Sequence, residues 1–337
     1  MLPFLCRRLL LLIPTLAGIT MLVFLMIHMI PGDPAKIMMG ERGNAEDLAA
    51  LRAEMGLDQP VHIQFLRYAS GLLQGDLGRS LRTREKVSTE LFRRFPATFE
   101  LTMISMAIAV VCGGVAGVLA AARKGRFVDY LCMVGATAGI SMPVFWLGLM
   151  LILLFAVQLP LFPVSGRIST HVYIAPITHF YLLDALIASD WAAFADALRH
   201  ICLPALTLST IPMAVIARMT RASLLETMGQ DYVRTAWAKG LNERAVVLRH
   251  ALRNAAIPTL TVIALEFGFL LGGAIITETI FSWPGVGKWV FGAVQARDFR
   301  AVQGGVLLLA TIFVLVNTLA DVMYAWLDPR IRYDRPG

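Results

Sequence analysis

Charge is scarce in this 337-residue chain. Only 16% of residues are charged and 57% are hydrophobic, whereas ordinary soluble domains carry about 25% charged residues. The shortage comes in blocks. Leu9–Ile30 and Leu101–Ala122 each run 22 residues without a charged side chain, and Ala301–Ala320 runs 20. Such runs exclude an ordinary aqueous globule and place the chain in a bilayer. Cysteine is sparse too: Cys6, Cys112, Cys132 and Cys202 lie in or beside apolar runs. No C-x-x-C or Cys/His spacing is present, so a disulfide framework or a metal site is excluded, and the four read as small core residues. There is no G-x-x-x-x-G-K-[ST]. The nearest approach, Gly285-Val286-Gly287-Lys288, is followed by Trp289 and reads as a turn. The apolar runs lack the Asp, Glu, His and Lys of an ion-driven carrier, and no inverted repeat is visible. No Ser/His/Asp constellation has a convincing setting. The chain is therefore no enzyme by its own residues. If it moves a solute uphill, another polypeptide supplies the energy.

What is present reads as six membrane spans. The first, Leu9–Ile30, follows Arg7 and Arg8 and would reach about 33 Å, enough for a hydrocarbon core of about 30 Å. A cleaved signal peptide is the alternative. The run exceeds the usual apolar core of such peptides and no A-x-A follows, so it is read as retained. Pro31–Pro96 is an insert with ten basic and nine acidic residues. The PGDP at Pro31–Pro34 stops the first helix. Within the insert, Asn44–Met55 is predicted as a helix ending at Gly56. Val61–Leu73 is predicted as another, burying Phe65, Leu66, Leu72 and Leu73. Leu101–Ala122 is the second span. The third, Leu131–Pro160, is broken by Pro143. Ile168–Leu183 is read as packed loop or interfacial helix. Ile201–Ala217, with Pro204 and Pro212, is the fourth span. Ala255–Thr277, interrupted by Glu266, is the fifth, and Ala301–Ala320 the sixth.

The charge bias sets the orientation. Short loops on the side of both termini carry fifteen Lys and Arg, including Arg123, Lys124, Arg126, Arg330, Arg332 and Arg335, against five on the other. The positive-inside rule puts the richer side in the cytoplasm. This also accounts for the net charge of +7 without nucleic acid. The domains are then 1–30, 31–96, 97–327 and a cytoplasmic tail 328–337.

The longest polar interval between later spans is Arg218–Pro258, with a coupling loop drawn at 218–257. It holds seven basic and three acidic residues. Ala222–Lys239 is predicted helical, and Gly240 suits the left-handed residue after a helix end. Asn242 is a fair N-cap for the next helix. That helix is expected to stack Val247, Leu248, Ala251, Leu252 and Ala255 on one stripe. A DNA-reading helix-turn-helix has similar punctuation, but spans flank this loop and pin it to the bilayer. Three Gly-x-x-x-Gly pairs, Gly113/Gly117, Gly135/Gly139 and Gly268/Gly272, favour close helix contact. Glu266 faces a pore or a partner, or is a hydrogen-bonded structural carboxyl; both readings stay open.

Here the chain becomes recognisable. AWAKGLNERAVVLRHALRNAAIP (Ala236–Pro258) resembles the cytoplasmic EAA-type loop of bacterial ABC import permeases. Gly240 matches the loop glycine and Ala236 the first alanine. Trp237 departs from the next small residue, and Arg234 and Thr235 stand where that family has glutamate. HMIPGDP (His28–Pro34), MGLDQP (Met55–Pro60), GDLGRS (Gly75–Ser80), TETIFSWPGVG (Thr277–Gly287), RDFRAVQGG (Arg297–Gly305) and LDPRIR (Leu327–Arg332) are similar to the dipeptide/oligopeptide/nickel subclass. PVSGRIS (Pro163–Ser169) points to its dipeptide branch. The resemblance implies an all-α, six-helix type I ABC importer permease with a periplasmic insert after the first helix. It implies a heterodimer with a second homologous permease, two cytoplasmic ATPases and a periplasmic peptide-binding protein. ATP and Mg would sit on the ATPases, with no cofactor in this chain. Tyr232, Arg234, Thr235, Ala236, Lys239, Gly240 and Leu241 would couple to the ATPase. Met142, Phe145 and Glu266 are candidates for the path. Dipeptide is the expected solute. Oligopeptide, nickel, haem or aminolevulinate are alternatives within the class; a proton-coupled peptide carrier and a non-transporting scaffold lie outside it.

Overall fold

A computed structural model describes residues 2–29, 35–36 and 44–327. The expected PGDP stop and the tail 328–337 lie outside them. The described chain is helical, with one isolated bridge, Arg79 to Lys86, and no strand. The helices are α1 (Leu2–Met29), α2 (Ala45–Met55), α3 (Val61–Leu73) and α4 (Val87–Ala122). Next come α5 (Phe127–Ser141), α6 (Val144–Gln158), α7 (Tyr181–Ile187), α8 (Trp191–Met228) and α9 (Asp231–Ala238). Last are α10 (Glu243–Gly273), α11 (Ile275–Ile280), α12 (Val286–Gln295) and α13 (Phe299–Leu327). Among the described residues α4, α8, α10 and α13 are long and apolar enough to cross a bilayer, and α5 with α6 makes a fifth span if counted as one. Helix α1 has 28 residues with its apolar stretch at Leu10–Leu25.

The chain divides into two compact units. The first holds residues up to Thr98 together with Pro284–Ile312. Its short helices have the expected bounds for local reasons. The Asn44 side chain accepts from Asp47 N at 2.7 Å, and Gly56 closes α2 at φ +68°, a conformation a side chain would strain. Helix α3 begins after Pro60, but its inward face differs from expectation. Tyr68 is buried, while Leu66 and Leu73 are 63% and 91% exposed. Phe65, Tyr68 and Leu72 form an i, i+3, i+7 stripe, and Leu66 and Leu73 lie about 100° round from it. That stripe meets α1, where the Phe24 ring lies 5.3 Å from Phe65 and 5.9 Å from Tyr68. Burial pushes the Tyr68 phenol up to about 12. The Asp298 carboxylate accepts from Ser80 Oγ (2.5 Å), Arg82 N and Ala301 N, fastening the GDLGRS turn to the start of α13. Beyond it, a Cβ on Gly304 would overlap Val87, and one on Gly305 would overlap Val290. The RDFRAVQGG motif is thus a cap followed by a close-packing face.

The second unit comprises Phe99–Trp283 and the chain from Phe313 onward. Helix α8 is its axis, packing against α4, α5, α6, α7 and α10. Its 38 residues span about 57 Å, nearly twice the hydrocarbon core. It continues through Pro204 and Pro212, so the expected 17-residue fourth span is only its middle. Thr207 and Thr227 hydroxyls donate to carbonyls four residues back, which satisfies them inside a buried helix. Of the three glycine pairs, Gly113/Gly117 makes backbone contact. A Cβ on Gly113 would overlap Met213 O, and one on Gly117 would lie 2.6 Å from Ala217 O. Gly268 abuts the Phe313 ring, whereas Gly135 and Gly272 have open space.

The third expected span is more sharply broken than a kink. Helices α5 and α6 meet at 103° across Met142–Pro143. Each arm has about 15 residues, roughly 22 Å, too short to cross alone. Ile168–Leu183 contains no long helix, as expected; it is a loop running into the short α7, half-buried to exposed throughout. Three carboxylates fasten it. Asp184 accepts from Thr178 N and Oγ1, Asp196 accepts from Ser169 N and Oγ, and Glu100 accepts from Arg167 Nη2 (2.6 Å) and Leu182 N. The buried Arg167 guanidinium also lies 3.9 Å from the centre of the Tyr181 ring.

Candidate functional site

The polar interval after α8 folds as two elements laid over one apolar patch. The predicted helix Ala222–Lys239 is interrupted. Helix α8 stops at Met228, Gly229 and Gln230 turn back onto Glu226 and Thr227, and α9 starts at Asp231. The interruption lets α9 present its own inward face. Val233 and Ala236 bury against Ala121, Leu224, Val246, Val247, Ala251 and Ala255.

At the far end of α9, Gly240 sits at φ +75° and donates its N–H to Trp237 O at 2.9 Å. A Cβ there would meet nothing within 4 Å, so backbone conformation rather than space requires glycine. Asn242 Oδ1 then accepts from Ala245 N at 2.8 Å, capping α10 as expected. Val247, Ala251 and Ala255 of the expected stripe are buried and Leu252 packs against them, but Leu248 leaves it at 56% exposed. Val246–Ala251 is a π-helical segment. Its wider turn brings Val246 onto the same buried face as Val247, Ala251 and Ala255, with Leu248 left outside it.

The sequence-predicted coupling residues divide accordingly. Tyr232, Arg234, Thr235, Lys239, Gly240 and Leu241 are exposed, while Ala236 is buried. Ala236 therefore anchors the helix rather than facing outward. Trp237, read only as a departure from pattern, is 42% exposed, like Tyr232. The Asn254 side-chain amide donates to Tyr232 Oη at 2.7 Å, tying α9 to α10. Arg234 and Asp231 form a solvent-exposed pair at 3.4 Å, which contributes little to stability. The site is an exposed, amphipathic ledge with two aromatic edges. It holds no catalytic constellation, and among the described residues no His, Cys, Asp or Glu cluster suits a metal.

The candidate path residues are not brought into one cluster. Met142 and Phe145 flank Pro143, both exposed. Glu266 lies on α10, partly buried. No hydrogen bond among the described residues joins it to either.

Sequence reasoning missed one feature beside the ledge. Arg221 Nε donates to Asp129 Oδ1 at 2.6 Å and Nη2 to Oδ2 at 2.8 Å. The partners are 92 positions apart, and no local pattern pairs them.

Comparison with known proteins decides the family. Residues 113–333 match the model of the binding-protein-dependent transport system inner membrane component, and residues 1–102 match its N-terminal companion. The chain belongs to this family. Binding-protein-dependent inner membrane components are transport subunits, so this chain is a multi-pass, all-α, non-catalytic part of an ABC importer with other subunits. Among its relatives is the di/tripeptide transport system permease protein of Pseudomonas aeruginosa (strain UCBPP-PA14). That protein is 52% identical over 336 residues, covering 99% of this chain and 100% of the relative. The dipeptide transport system permease protein of Escherichia coli (strain K12) is 52% identical over 339 residues, with the same coverage. The glutathione transport system permease protein of Escherichia coli O6:H1 is 43% identical over 333 residues, again covering 99% and 100%.

Proposed function

We propose that this chain is one of two homologous permease subunits of an ATP-driven importer of dipeptides and other short peptides. Two cytoplasmic ATPases hold the ATP and Mg, and a periplasmic binding protein delivers the peptide. Six spans put both termini in the cytoplasm, the first being α1, and residues 31–96 form a periplasmic insert. The observation that carries the reading is the α9 ledge. Its inner residues are locked into an apolar patch shared with α4, α8 and α10, so a push on its outer face moves those helices. ATP closure of the ATPases displaces α9 and Gly240, the spans tilt, and the pathway opens outward. Hydrolysis resets it inward. The peptide preference is supported by the names of the relatives above.

The test is a Tyr232→Ala/Trp237→Ala double variant in the complete transporter, purified through a tag on this chain. Loss of ATPase co-purification together with loss of alanylalanine uptake supports the reading. Retained co-purification refutes the docking face. Uptake that collapses with the proton gradient but ignores ATP depletion would instead mark a secondary carrier. Binding of longer peptide or nickel, but not dipeptide, by the companion binding protein would reassign the solute.

A further inference from the structure

Between the ledge and the bend at Pro143 the helices are welded in steps. α4 and α8 touch backbone to backbone at Gly113/Met213 and Gly117/Ala217. About one turn further along α4 and two along α8, Ala121 and Leu224 share the patch under α9. The chain then reverses at Arg123–Arg126, with Gly125 at φ +72°. Asp129, in the first turn of α5, holds that reversal by accepting from Gly125 N at 3.0 Å. The same carboxylate takes the two-pronged grip of Arg221, seven residues before the end of α8. Asp129 is 4% exposed. One buried carboxylate thus joins the α4–α5 turn, the start of α5 and the stem of the ledge. A planar guanidinium gripping two oxygens fixes orientation as well as distance, which an ammonium does not.

We infer that Asp129 and Arg221 are positioning residues for transport: they make α5 move with α8, so that displacement of α9 is delivered to the Met142–Pro143 bend rather than absorbed in the turn. The bend is the next compliant point. Pro143 has no N–H to continue the helix, and a Cβ on Gly135 of α5 would meet nothing within 4 Å. The inference rests on the docking role proposed for α9.

The test uses the complete importer in proteoliposomes with its binding protein and alanylalanine. Asp129→Asn and Arg221→Lys are compared with the charge-reversed double variant Asp129→Arg/Arg221→Asp and with the Tyr232→Ala/Trp237→Ala control. At equal complex content, Asp129→Asn should keep its ATPases and basal hydrolysis. Peptide-stimulated hydrolysis should fall to the basal level, and uptake should fall at least tenfold. Arg221→Lys, which keeps the charge and loses the fork, should lose uptake several-fold. The reversed pair restores the grip but not the acceptor for Gly125 N, so it should regain at least threefold over Asp129→Asn, and no gain over that variant would overturn the role given to the grip. Wild-type stimulation in both single variants would overturn the inference and leave the docking role standing. Loss of assembled complex with unchanged stimulation per complex would also overturn it, making the pair merely structural. Retention of ATPase by the Tyr232/Trp237 control would remove the docking role itself, and this inference with it.

Discussion

Two glycines with the same sequence context should respond oppositely to alanine. Gly117 and Gly135 each belong to a Gly-x-x-x-Gly pair on an apolar helix. At Gly117 the added Cβ would stand 2.6 Å from Ala217 O and 2.6 Å from Thr220 Cβ, whereas at Gly135 it would meet nothing within 4 Å. Carbon–oxygen and carbon–carbon contacts settle near 3.5 Å, so α4 and α8 must part by roughly 1 Å over a backbone contact that no rotamer change relieves. Overpacking of this kind costs about 1–3 kcal/mol. Both substitutions gain the same helix-propensity term of about 1 kcal/mol. That term cancels in the comparison, so Gly117→Ala should be less stable than Gly135→Ala by about 1–3 kcal/mol. The assay is reversible unfolding of the isolated chain in mixed micelles with rising dodecyl sulfate, followed by tryptophan fluorescence. Equal stabilities for the two variants would show that α4 does not lie on the α8 backbone at Gly117, and the welded block built on that contact would fall with it.

Gly240→Ala should cost about 1 kcal/mol for its positive φ, with no steric penalty. Gly240→Pro should leave membrane insertion intact and abolish peptide-stimulated ATP hydrolysis, measured in proteoliposomes. Glu100→Gln should destabilise the isolated chain by about 3 kcal/mol, because it removes the countercharge of the buried Arg167 guanidinium, which keeps the His179 carbonyl and the Tyr181 ring; the same unfolding titration reads it. Val246→Ala should cost about 2 kcal/mol, whereas Leu248→Ala should leave stability nearly unchanged. A larger cost at Leu248 would restore the regular α-helical stripe and contradict the π segment.

The sequence was most readable where a side chain or a glycine settles its own neighbourhood. Asn44, Gly56, Gly240 and Asn242 each act within a few residues, and each marked its helix end correctly. Pro143 marked the place of a break but not its angle, since 103° is set by what α5 and α6 pack against. The inward face of α10 was misread at Leu248 because six π-helical residues change the repeat that the stripe assumes. Gly229 was passed over because the residues around it are good helix formers. The break there follows from what Val233 and Ala236 bury, which is a tertiary demand. Asp129–Arg221 and Glu100–Arg167 lie 92 and 67 positions apart. Such pairs leave no trace in composition or periodicity. The exposed helix that ends at Gly240 was therefore placed from sequence, while the ion pairs that fasten α5 to α8 and α4 to the following loop required coordinates.

The corner at Met142–Pro143 also constrains where fatty-acyl chains can lie. Beyond the bond from Met142 N to Ala138 O, the carbonyls that end α5 and the amides that begin α6 have no helical continuation. In hydrocarbon, each such orphan costs several kcal/mol. The corner must therefore be bathed by water or roofed by a neighbouring polypeptide, and acyl chains are shut out of that part of the perimeter.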